Sequence, residues 1–145
     1  ESGEIECDDS FLYFSRKLRE NGILLAISES CEIGADVQMC DKGAFSIMQN
    51  AFHSDEISYV NSSISLEEKA HRFYEIWTKK EAYTKYTGTG IACRLNQINT
   101  LSSPINDTLH TWEQGIYVCS AFTCISEENI KHVIYENEII DFFFS

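Results

Sequence analysis

Positive charge is scarce in this chain: 11 Lys and Arg stand against 23 Asp and Glu, a formal net charge of −12. That excludes nucleic-acid binding through a broad basic face, because neutralising phosphates takes clustered cations. A small cationic pocket is still within reach of a few local lysines. Proline occurs once, at Pro104, inside a polar loop over Ser102–Asp107. No apolar run is long enough to cross a membrane, and nothing resembles a signal peptide. The cysteines form no C-x-x-C, and His53, His71, His110 and His132 fall in no zinc-finger pattern. Tandem repeats and low-complexity segments are also missing.

What is present is a folding chain. At 145 residues, with 43% hydrophobic and 12% aromatic residues, it suits one domain with a real core. Residues 1–10 read as a flexible acidic segment without an initiating Met, the mark of a tag remnant or of a fragment's start. Residues 11–145 read as a single domain. Cys93, Cys119 and Cys124 lie in apolar, strand-like runs, where a free thiol behaves as a small hydrophobe. They are expected to be reduced core thiols of a cytoplasmic protein.

Hydrophobic periodicity organises the rest around one helix. Ser65-x-x-Glu68 is a capping box, and Gly88 and Gly90 supply a stop. Between them Leu66, Ala70, Phe73 and Trp77 recur at helical steps. The next position on that stripe is Glu81, with Lys85 one turn beyond. Two readings stand side by side. One is an ordinary i, i+4 pair on a solvated shoulder, worth about 0.2–0.5 kcal/mol. The other is a partly buried charge that must be paired or coordinate a metal.

Strands are expected at Ile23–Ser28, Ile33–Met39, Ile91–Leu101, Leu109–Trp112, Ile116–Cys124 and Lys131–Tyr135, followed by an apolar tail at Ile139–Phe144. Short helices are expected over Ala44–Ala51 and from Ser54 to about Val60. The fold class is therefore α+β, an antiparallel meander-like sheet packed on one long helix. In Ile33–Met39, alternation puts Gly34, Asp36 and Gln38 on one face. Asp is disfavoured inside a strand. Its neighbour Gly34 removes side-chain bulk from the same face, as a ligand approach would require.

The strand IGADVQ, the helix segment W-x-x-K-E-A-x-x-K and the exit G-x-G-I together resemble the 4′-phosphopantetheinyl transferase family. The match runs over roughly residues 23–122, with Asp36 upstream of Glu81 at the family's spacing. WEQGIYVCSAF is similar to the last strands of the larger, surfactin-synthetase-activating type. The resemblance implies one lobe of that fold plus a remnant of the other, which leaves open a fragment, a self-associating short form or a partner chain replacing the missing lobe. It also implies transfer of 4′-phosphopantetheine from coenzyme A to a serine of an acyl or peptidyl carrier protein.

Chemistry is compatible with that implication. Magnesium takes oxygen ligands, usually one or two carboxylates plus phosphates and water. By resemblance, Asp36, Glu81 and Gln38 are the metal set, and Glu81 is the base for the attacking serine. Lys85 and Lys80 are phosphate contacts, and Phe14-Ser15-Arg16 stands where the family has F-N-x-S-H-S, leaving Arg16 to bind a phosphate. Gln38 replaces the usual Glu of the larger type, one negative charge fewer. The alternative is a degenerate, non-catalytic member that binds coenzyme A or serves as an interaction subunit.

Overall fold

The computed structural model describes residues 2–7, 10–19, 22–28, 31–42, 44–89 and 94–124. The expected strand Lys131–Tyr135, the tail Ile139–Phe144, Gly90 and Cys93 lie outside them. The described strands are β1 (Ser2–Cys7), β2 (Ser10–Arg19), β3 (Gly22–Ser28), β4 (Ile33–Met39), β5 (Leu109–Gln114) and β6 (Tyr117–Thr123). The helices are α1 (Met48–Ala51), α2 (Ser54–Asn61) and α3 (Leu66–Thr87). The α+β class holds, with one long helix against antiparallel strands. The strands divide into two three-stranded sheets, however: a meander β1-β2-β3, and β4-β6-β5. Ser2–Cys7, expected to be flexible, pairs along β2 from Ser2↔Ser15 to Cys7↔Ser10.

The ends of α3 follow local chemistry. Ser65 Oγ accepts the Glu68 amide at 3.0 Å, which satisfies one of the helix's unpaired N–H groups. The return arm of the capping box reaches one residue further back, from the Ile64 amide to Glu68 Oε2 at 2.7 Å. At the other end Gly88 takes a left-handed conformation with φ 66°, at little cost without a Cβ.

Between those ends α3 is buried on two opposite faces, not along one stripe. Phe73 and Ile76 join Met48, Ala51, Phe52 and Val60 in the core, where the Phe52 and Phe73 rings stack at 5.3 Å. Burying a side chain such as Phe73 contributes roughly 1.5–3 kcal/mol. The opposite face carries Thr78, Ala82 and Tyr86 onto β4 and β6. Leu66, expected on the apolar stripe, is 81% exposed, because the stripe begins only where α1 and α2 cover the helix.

Another expectation fails at Ile91–Leu101. Its described part is not a strand but a 3-10 turn over Leu95–Gln97, then Ile98 in extended backbone and a turn that begins at Thr100. Ile98 and Thr100 are nonetheless buried. The backbone carbonyls of Leu95 and Ile98 accept hydrogen bonds from Lys80. Cys124 is likewise not a reduced thiol: it forms a disulfide with Cys31. Pairing of Ile33 with Thr123 brings the two cysteines to the same end of the β4–β6 ladder, a neighbourhood set by strands far apart in sequence. No helix among the described residues is long and apolar enough to cross a membrane.

Candidate functional site

Close contact between α3 and β4 starts at Gly34. A Cβ there would collide with the Ala82 carbonyl oxygen and the Tyr86 amide nitrogen. The missing side chain thus admits the helix backbone, which corrects the expectation that it admits a ligand. With the helix so near, Asp36 on the same face of β4 is 0% exposed. It points at α3, and Lys85 reaches it from there: Lys85 Nζ lies 3.3 Å from Asp36 Oδ1 and donates to the Ala35 carbonyl at 2.6 Å.

Gln38, two residues on and facing the same way, donates its amide to Asp36 Oδ2 at 2.8 Å. Ser120 pairs directly with Asp36 across the ladder. Its hydroxyl is hydrogen-bonded to Thr78 at 2.8 Å and to Thr111 at 2.9 Å, so a belt of hydroxyls runs beside the carboxylate. Burial, with the Asp36 charge adding to it, pushes the Cys119 thiol up to about 11.

Glu81 is half-buried on α3. It precedes Lys85 by one turn, so the two share a flank of the helix. At ~100° per residue, that flank lies between the core face of Phe73 and Ile76 and the sheet face of Thr78 and Ala82. The structure therefore brings Asp36, Gln38 and Lys85 into contact and sets Glu81 on the flank Lys85 uses. The oxygens a cation would use are those of the two carboxylates and the Gln38 amide, with both Asp36 oxygens engaged by Lys85 and Gln38, and no group of three or more His, Cys, Asp or Glu among the described residues is placed to hold a metal ion. The carboxylate and amide oxygens are hard oxygens of the kind magnesium accepts.

Of two further expected residues, the side chain of one is not described and the other is not brought to this cluster. Arg16 lies in β2 opposite Leu25, and its side chain is outside the described residues. Lys80 was expected to touch phosphate, but it is 0% exposed and turned into the core. Its ammonium donates to Leu95 O at 2.8 Å and Ile98 O at 2.7 Å and pairs with Glu56 Oε2 at 2.8 Å. Sequence reasoning missed Glu56 as a partner. It is an acid in the first turn of α2, where nothing in the sequence marks a distant partner, and it also accepts the His53 amide.

A second cluster lies between α3 and β5, around a cavity of about 340 Å³ lined by His71, Glu75, Thr111, Trp112, Glu113 and Val118. His71 Nε2 comes within 2.7 Å of Glu113 Oε1, close enough for an ion pair but not aligned as a hydrogen bond. Glu75 is committed to Tyr59 and Lys79, each at 2.8 Å.

The strand-borne Asp36 and the helix-borne Glu81 and Lys85 are the elements that characterise one family, and a comparison of the chain with family models decides the matter. The 4′-phosphopantetheinyl transferase superfamily model matches residues 32–134. The chain belongs to that superfamily. A protein of Synechocystis sp. whose name assigns it provisionally to the 4′-phosphopantetheinyl transferases is 36% identical over 52% of this chain and 31% of its own length. The L-aminoadipate-semialdehyde dehydrogenase-phosphopantetheinyl transferase of Candida glabrata is 29% identical over 69% of this chain and 42% of its own length. The superfamily match begins just before β4 and takes in every element that builds the Asp36 cluster, while β1–β3 precede it.

Proposed function

We propose that the protein transfers 4′-phosphopantetheine from coenzyme A to a serine of an acyl or peptidyl carrier protein. The observation that carries this reading is the Lys85–Asp36 contact, which ties the family's strand motif to its helix motif and puts Glu81 on the same flank. Asp36 and Glu81, with the Gln38 amide oxygen, would hold a magnesium ion. When bound, the ion supplies positive charge against the pyrophosphate of coenzyme A.

The chain's own residues do the remainder. Glu81 takes the proton of the attacking serine hydroxyl as a general base. The serine oxygen bonds to the phosphorus of the phosphopantetheine half, and the bond from that phosphorus to the departing 3′,5′-ADP breaks. Lys85, only 15% exposed and already beside Asp36, meets charge developing on the phosphates as a cation in a partly water-excluded site. With a net charge of −12, docking of an acidic carrier calls for apolar contact or a local basic patch.

The test is to incubate the protein with coenzyme A, magnesium and apo-carrier proteins and to weigh the carriers. The phosphopantetheine mass should appear in the wild type and vanish in Asp36→Ala and Glu81→Ala. No added mass on any carrier would sink the catalytic reading. A second reading, a non-catalytic coenzyme A-binding member, draws support from Gln38, which donates to Asp36 where the larger type has a third acid. Calorimetric binding of coenzyme A without transfer would favour it.

A further inference from the structure

We infer that Glu56 and Lys80 form a buried clamp that sets the rotation of α3 and thereby aims Glu81; they are positioning residues for the site, not contacts for its substrate. The inference rests on the transfer reading for its kinetic test only. Its basis is the completeness of the pair. An ammonium has three donors, and Lys80 uses them on Leu95 O, Ile98 O and Glu56 Oε2. Glu56 accepts at both oxygens: Oε2 takes the His53 amide at 2.7 Å, and Oε1 takes the Thr100 amide at 2.8 Å and hydroxyl at 2.7 Å. Both side chains are 0% exposed.

Four segments thus converge on one ion pair: the start of α2, the turn at Leu95–Gln97, the run through Thr100, and α3. Lys80 is the residue before Glu81, so each orientation of Lys80 about the helix axis implies one for Glu81, ~100° away. On the opposite side α3 is held by its backbone against Gly34 and by the Thr78–Ser120 hydrogen bond. Rotation is pinned from both faces. A buried ion pair is weak evidence for net stability but a directional one, because its geometry has few alternatives. Misplacing a reacting group by about 1 Å costs on the order of a hundredfold in rate, so a clamp of this kind has a kinetic signature.

Three variants read it: Glu56→Gln, Lys80→Met, and the double replacement E56L/K80M. In steady-state transfer to apo-carrier, the single changes should each lower kcat on the order of a hundredfold and leave KM for coenzyme A unchanged. The double variant removes the unpaired charge but strands the amides and carbonyls that the pair served, so it should regain only part of the melting temperature lost in Lys80→Met without regaining kcat. Recovery of kcat in step with the melting temperature would reduce the pair to a structural role and overturn the inference. So would a raised KM in Lys80→Met with Glu56→Gln silent, the pattern of a phosphate contact. If the wild type transfers nothing, the transfer reading fails on its own. The clamp is then read in the ligand-free protein from the Glu81 side-chain carboxyl carbon resonance. All three variants should displace it, and an unmoved resonance would refute the clamp.

Discussion

Two lysines of α3, five positions apart, each meet a fully buried carboxylate and a backbone carbonyl, yet the two pairs are built differently. Lys80 and Glu56 are both 0% exposed at 2.8 Å. Lys85 keeps 15% of its side chain exposed and stands 3.3 Å from Asp36. The first pair faces the core and ties α2 and the 95–100 segment to the helix. The second faces the sheet and is partly open to solvent. A closed pair holds a helix in place, whereas an open pair can exchange one partner for a ligand.

Replacing each lysine by Met should break the comparison most sharply. Lys80→Met leaves Glu56 as an unpaired buried charge and should cost about 3–5 kcal/mol of unfolding free energy. Lys85→Met leaves the buried Asp36 with the Gln38 amide still donating to it, so it should cost less, about 1.5–3 kcal/mol, while removing the coenzyme A binding proposed above. Denaturant melts of the two variants with a calorimetric titration would check both halves, and equal destabilisation would erase the distinction. Gly34→Ala comes next. Its Cβ would meet helix backbone, which cannot swing aside as a side chain can, so a loss of about 1–3 kcal/mol from overpacking is expected. The same change should lower coenzyme A affinity by displacing Lys85 from Asp36.

The smallest effect concerns Tyr59, which donates to Glu75 beside the core face of α3. Burial and the Glu75 carboxylate push its hydroxyl up from 10.0 to about 12. A group with a raised folded value contributes stability that is fully present below its unfolded value and is lost as pH rises through the folded one. Stability should therefore decline between about pH 10 and 12, and Tyr59→Phe should flatten that slope in pH-dependent melts. An unchanged slope would mean that another group titrates there.

Local signals were legible where the physics is local. Ile33–Met39 is a strand at its expected ends, and α3 begins at its capping serine and stops at Gly88. Asp36 stood out because a carboxylate is out of place in an apolar strand. Glu81 stood out because it interrupts a helical stripe. The stripe itself was too simple a picture. Leu66 satisfies the period and is exposed, while Lys80, seven residues after Phe73 on the same period, is a charge and is buried. A helix covered on two sides carries no single apolar face.

Apart from β1, β2 and the 91–101 segment, the sequence by itself determined the described elements, the carboxylates that do not belong in them, and the family, because each depends on residues near one another or on motifs in order. Only the tertiary structure decided which lysine meets which acid, that Gly34 serves the helix and not a ligand, and that Cys31 joins Cys124. Those outcomes depend on contacts between distant segments, Asp36 with Lys85 and Glu56 with Lys80 and Thr100. A lysine looks the same in sequence whether its ammonium turns to solvent or to the core. The packing around α3 makes that choice, because a buried ammonium is tolerated only where three acceptors wait for it.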